Sequence, residues 1–297
     1  MPKLTVAATL VGIAVLALLA PGPAAAKQRP LFPVTIKAAN GAVTIAKRPA
    51  RIVSLSPTAT EDLYAVGAGR QVVAVDELSN FPKRAPRTKL SGYTPNVEAI
   101  AGYRPDLVIV RSNAGVAELE RLGIKVLQLP EAVNLPQAYT QVRQVGRATG
   151  HPRAAASVVR WMRARIAASV RSVQARARRL SVYHELTTDY YSATSQTFIG
   201  QIYRLFGLRN IADAAGGGPY PKLSGEYIIA SSPDLIVLAN SKCCGQSYAT
   251  VAARPGWDTI SAVRNRRVIP VDDDIASRWG PRVVAFVRSV AAAVRRS

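Results

Sequence analysis

The 297-residue chain is poor in cysteine, histidine and acidic residues. Its two cysteines, Cys243 and Cys244, are adjacent, which excludes the disulfide framework that staples small secreted domains. Its two histidines, His151 and His184, lie in separate regions. The cluster of His and carboxylate ligands that a zinc or manganese site needs is therefore hard to assemble, and no metal site is expected. There is no G-x-S-x-G elbow, no P-loop and no dinucleotide fingerprint. Gly216-Gly217-Gly218 runs into Pro219 rather than into a phosphate-binding helix. An enzyme is not expected, and neither a catalytic set nor a resident cofactor is assigned. No stretch after the first thirty residues is long and apolar enough to span a bilayer.

Apolar residues, by contrast, make up 48% of the chain, which excludes a disordered one and suffices for two ordinary lobes. Residues 1–26 hold one charge, Lys3, then an apolar stretch from Leu4 to Ala20. A Pro21-Gly22-Pro23 break and the triplet Ala24-Ala25-Ala26 follow. This is the layout of a cleavable signal peptide, so the chain is expected to be exported. No cysteine lies near the cut, so a lipoprotein anchor is not expected.

Basic residues outnumber acidic ones 39 to 18, a net charge of +21. Ten arginines and no carboxylate occur between Glu131 and Glu185. Such a surface can suit nucleic acid, but few aromatic residues are interleaved for base stacking and an exported chain rarely meets nucleic acid. The charge therefore reads as the solvated face of a helix, with no nucleic-acid partner.

Val34-Thr35-Ile36 and Val43-Thr44-Ile45 alternate around Asn40-Gly41 and read as a hairpin. Short apolar runs at Arg51–Leu55, Val72–Val75, Leu107–Val110 and Lys125–Leu129 then alternate with helical segments, the pattern of an α/β lobe with a mainly parallel sheet. Over 151–180 one apolar stripe (Val159, Met162, Ile166, Val170, Val173, Ala177) predicts a single helix of about 28 residues, roughly 42 Å long, as a strut between lobes. The α/β pattern then resumes, with apolar runs at Val182–Leu186, Leu235–Ala239 and Arg267–Val271 before a last helix at 281–295. The expected organisation is a leader at 1–26, an N-terminal lobe at 27–150, the connecting helix at 151–180 and a C-terminal lobe at 181–297.

An internal repeat supports two lobes. Asn96-Val97-Glu98, followed by Arg104-Pro105-Asp106-Leu107, returns 128 residues later as Ser224-Gly225-Glu226, followed by Ser232-Pro233-Asp234-Leu235. Asn96 and Ser224 can cap short helices, and Glu98 and Glu226 suit the positive end of each.

Several segments resemble the periplasmic cobalamin- and ferric-siderophore-binding proteins of ABC importers. They are Arg51–Glu61, Phe81-Pro82, Ser91-Gly92-Tyr93, Arg104–Val108, Leu122–Val126, Asn210-Ile211-Ala212, Pro219–Glu226 and Pro255-Gly256-Trp257, in the family's order over residues 32–295. The resemblance implies two α/β lobes joined by a long helix, with a ligand cleft between them; the chain is expected to be a monomer. It implies that Glu98 and Glu226 dock onto a membrane permease. The cargo it implies is a corrinoid or, alternatively, a ferric siderophore or haem, so that cobalt or iron belongs to the ligand. Tyr93 and Tyr220 stand where the cobalamin binders often carry tryptophan, and Asp274 and Arg278 match positions that hydrogen-bond the ligand.

Tyr191 and Trp279 are further candidates for the cleft wall, and Glu185 can reach it from its strand. Cys243 and Cys244 are either a vicinal disulfide, the expected state, or two thiols near the cleft. A structural or adhesion protein of the envelope is the competing reading.

Overall fold

The structure, a computed structural model, describes residues 30–296 together with Met1 and Pro2. The expected leader at 1–26 thus lies, beyond its first two residues, outside the described residues. Among the described residues no helix is long and apolar enough to cross a membrane.

The hairpin forms from β1 (Val34–Ala38) and β2 (Gly41–Ile45). Its two-residue loop is Ala39-Asn40 rather than Asn40-Gly41, because Ala38 pairs with Gly41, whose φ of 106° needs glycine. Asn40 is freed to donate to Val126 O at 3.0 Å and to accept from Gln128 N at 3.1 Å. The turn residue thus docks the hairpin onto the first sheet.

Two four-stranded sheets follow, each entirely parallel. The first runs in the order β4 (Val72–Val75), β3 (Ile52–Leu55), β5 (Leu107–Val110) and β6 (Lys125–Gln128). The second runs β10 (Val268–Pro270), β9 (Leu235–Leu238), β7 (Ser181–Glu185) and β8 (Arg209–Asn210). In both, the lobe's first strand sits between its second and third, and the fourth lies outermost. The inner strands β3, β5, β7 and β9 are buried along their whole length, the signature of a sheet covered on both faces.

The repeat has a structural purpose. Asn96 accepts from Ala99 N and Ser224 from Tyr227 N, capping helices Val97–Gly102 and Gly225–Ser231. Arg104 and Ser232, equivalent in the repeat, both take positive φ, 47° and 37°. The following aspartates tie each lobe's first strand at its start. Asp106 accepts from Ala50 N and Arg51 N, and Asp234 from Ser181 N and the Ser181 hydroxyl.

The connecting helix is shorter than its apolar stripe predicts. It spans Pro152–Arg171, 20 residues and about 30 Å, and a separate short helix covers Gln174–Ala177. The Ser172 hydroxyl donates to Ser169 O, a local bond that competes with the helical ladder, and β-branched Val173 follows at φ −139°. The stripe nevertheless survives the break, because Val173 and Ala177 are buried with Val159, Met162, Ile166 and Val170. The stripe packs on helix Leu135–Ala148, which the sequence reading lacks, and on the final helix Val283–Arg295. Gly146 permits the first contact, since a Cβ there would lie 2.3 Å from the Ala155 Cβ. Arg160, Arg163, Arg165 and Arg171 cover the outer face, and among the described residues none forms an ion pair with a carboxylate.

Candidate functional site

The strands of the two lobes end at a common cleft of about 420 Å³. Its lining includes residues that directly follow strands: Ser56 after β3, Asp76 after β4, Arg111 after β5 and Leu186 after β7. Loops at the carboxyl ends of parallel strands are where open α/β sheets bind ligands.

Tyr93 from the first lobe and Tyr220 from the second both line the cleft, 62% and 41% exposed. The Arg111 guanidinium lies over the Tyr93 ring, 4.8 Å from its centroid. The Tyr220 hydroxyl crosses to the first lobe and donates to Glu131 Oε1 at 2.9 Å. Burial, with the Glu131 carboxylate as acceptor, raises the Tyr220 phenol above its ordinary value. Gly92 brings the loop before Tyr93 close to the sheet: a Cβ there would stand 2.8 Å from Asp76 Oδ2 and 2.9 Å from Leu55 O. Asp76 itself is buried beneath that loop, and its Oδ1 has no hydrogen-bond partner. Burial lifts its carboxyl to about 6, against hydrogen bonds from Ser79.

At one end of the cleft the lobes are fastened together. Arg278 donates to Glu61 Oε1 at 2.9 Å, Asn80 Oδ1 at 3.0 Å, Leu78 O at 3.0 Å and Asp274 Oδ1 at 2.7 Å. Arg282 reaches the same Glu61 oxygen at 2.6 Å. Beside it, burial and then the Glu61 charge push the Asp62 carboxyl well above the carboxylate range. The Trp279 indole donates to Gln141 Oε1 at 2.7 Å.

Arg278, Asp274 and Trp279 therefore do line the cleft, but their polar atoms are engaged in holding one lobe to the other. The three consecutive aspartates divide their work. Asp272 caps its own short helix, Asp273 accepts from Lys242 N and Cys243 N, and Asp274 pairs with Arg278 and Lys242. Asp274 is half-buried, which works to raise its carboxyl, but hydrogen bonds from Lys242 and Asn80 and the Arg278 charge bring it below its ordinary value.

Two expected wall residues lie elsewhere. Tyr191 is not among the lining residues: its N–H and C=O bond to the Thr187 hydroxyl and Leu186 N, and its ring faces Lys222. Glu185 is drawn the other way by a two-pronged ion pair with Arg254, at 2.6 and 2.8 Å, and by Asn240. His184 is fully buried in β7, with Nδ1 2.6 Å from the Tyr203 hydroxyl, and burial lowers it to about 3. It is a core histidine. Cys243 and Cys244 are bonded to each other on the exposed short helix Ser241–Cys244, outside the lining set.

Glu98 and Glu226 both project from the first turns of their capped helices and are exposed. Glu226 is lowered by its own backbone N–H and by the Ser224 hydroxyl. Sequence reasoning missed Asp76, Arg111, Glu131 and Glu61. Asp76 and Arg111 carry a readable signal, a charge directly after a buried strand. Glu61 and Glu131 carry none.

The sequence profile of the periplasmic binding proteins matches residues 52–275. A Bacillus subtilis protein named as an uncharacterized ABC transporter substrate-binding lipoprotein, YvrC, is 31% identical over 286 residues, 91% of this chain and 88% of its own. A cobalamin-binding protein of Halobacterium salinarum is 34% identical over 265 residues, 85% of this chain and 72% of its own. Among solved structures, the haem-binding protein RhuT of Roseiflexus superposes with a TM-score of 0.68 at 26% identity, covering 82% of this chain and 97% of its own. A possible iron-binding protein of Staphylococcus epidermidis gives 0.73 at 25% identity, over 84% and 99%. With matching lobes, cleft and sequence along most of its length, the chain belongs to the periplasmic binding protein family.

Proposed function

We propose that the chain is the extracytoplasmic substrate-binding component of an ABC importer, and that it captures a metal chelate, a corrinoid or an iron complex, between its lobes. The observation that carries this reading is the pair Tyr93 and Tyr220, one on each lobe, flanking a cleft at the ends of both sheets. A large ligand that is part flat and part polar needs opposed aromatic faces and a few polar groups between them. The names of the Halobacterium, Roseiflexus and Staphylococcus relatives support the same class of cargo. Glu98 and Glu226 are the docking points for the permease. They are exposed, anionic and equivalent in the repeat, and so suit cationic sockets on a two-fold partner. The chain is exported through the leader in residues 1–26, acts as a monomer and releases its cargo unchanged, with no resident cofactor. The test is uptake: deleting the gene in its source should abolish import of radiolabelled cobalamin or of a ferric chelate. Wild-type chain should restore it and the Tyr93→Ala, Tyr220→Ala variant should not. Full import in the deletion strain would overturn the proposal.

A further inference from the structure

Among the charged residues that line the cleft are four of the chain's 18 acidic residues and only two of its 39 basic ones. The local balance thus runs against the charge of the whole protein. Asp274 and Arg278 neutralise one another, and each is tied to further partners, Lys242 and Glu61. Asp76, Glu77 and Glu131 remain, facing the single cation Arg111, which rests on the Tyr93 ring. Asp76 is 3% exposed with one oxygen lacking any partner. Glu77 is exposed, and Glu131 accepts only the Tyr220 hydroxyl.

From this we infer that the cleft selects its cargo by charge, taking neutral or cationic chelates whose periphery offers N–H donors, such as carboxamides or an ammonium group, and rejecting polycarboxylates. Carboxylates accept hydrogen bonds and cannot donate them. An amide edge beside Asp76, Glu77 and Glu131 therefore gains bonds, whereas a carboxylate edge meets like charge in a partly desolvated space. Arg111 can serve one anionic group at most. The inference rests on the chelate-binding reading above and narrows its substrate class.

The experiment compares ligands that share a scaffold and differ in charge, titrated calorimetrically into the purified exported chain at pH 7.5. One series is cyanocobalamin against its monocarboxylic acid. The other is ferrioxamine B, a cation through its free ammonium group, against its N-acetylated form, which is neutral, and its N-succinylated form, an anion. Within whichever series binds, the anionic member should bind at least tenfold more weakly. Glu77→Gln with Glu131→Gln, both at exposed positions, should shrink that ratio to less than threefold. An anionic member that binds as tightly as its neutral counterpart, or a ratio unmoved in the double variant, overturns charge selection and leaves chelate capture intact. Absence of saturable heat from every ligand, with the thermal transition of the protein intact, overturns both.

Discussion

Glu61 and Arg278 meet at 2.9 Å although 217 positions separate them in sequence, and both side chains are almost wholly buried. Glu61 comes from the first helix of one lobe and Arg278 from the segment before the last helix of the other. Arg282 shares the same carboxylate oxygen. The lobes of this protein are therefore held by a buried ionic clamp beside the cleft, in addition to the apolar stripe of the connecting helix. Such a clamp resists a wide hinge opening, so ligand entry is expected to involve small movements at the Tyr220–Glu131 contact instead.

Removing the anion from that clamp leaves the Arg282 guanidinium without its carboxylate partner and Arg278 with Asp274 alone to balance it. Glu61→Ala should lower stability by about 3–5 kcal/mol, the usual consequence of breaking a buried pair from one side. Urea unfolding measures it, and a change under about 1 kcal/mol would show that water reaches the clamp freely.

Asp76 makes a prediction about pH. Its carboxyl titrates at about 6 in the folded chain, against 3.8 as the reference value. The folded state therefore holds the proton more tightly, so this group's contribution is fully present below about pH 4 and is lost as pH rises through 6. Asp76→Asn should match the wild type at pH 4 and exceed it at pH 7.5, by up to about 3 kcal/mol. The difference between the two proteins is the quantity to plot, because His184, lowered to about 3, imposes the opposite slope on both. A difference that does not vary with pH would place Asp76 in contact with water.

Gly92 should tolerate no side chain. Gly92→Ala sets a Cβ against backbone at Leu55 and against Asp76, so the Tyr93 loop must shift outward. The expected result is a loss of about 1–3 kcal/mol in stability together with weaker ligand binding. A crystal structure of the variant with Tyr93 unmoved would contradict the argument.

The docking assignment separates from the binding one. Glu98→Ala with Glu226→Ala removes two exposed carboxylates that are not among the residues lining the cleft, so the ligand titration should be unchanged while permease-dependent uptake is lost. Uptake at the wild-type rate would remove both glutamates from the permease interface.

Much of this architecture could be read from residues alone, and the reasons are local. Alternating apolar runs located every strand but the two-residue β8, since a buried parallel strand is nearly continuous in apolar residues. The repeat around Glu98 and Glu226 was legible because capping residues, Pro and Asp keep fixed offsets. The break at Ser172 was not, because an apolar stripe continues through a helix that stops and restarts. The clamp was not legible either. Nothing in Glu61 or Arg278 announces a partner more than two hundred residues away, and resemblance to ligand-contacting positions pointed Arg278 into the cleft rather than across it. Glu185 went astray for a similar reason. Strand alternation shows which face it occupies but not that Arg254 waits there.

The most direct test of the account is a calorimetric titration of purified residues 27–297 with cyanocobalamin, followed by ferrioxamine B if the first trace is flat. The account predicts a one-to-one isotherm for one of them at sub-micromolar Kd, about −8 kcal/mol or stronger, lost in the Tyr93→Ala, Tyr220→Ala variant. Saturable binding that survives removal of both tyrosines would contradict the placement of the chelate between the lobes.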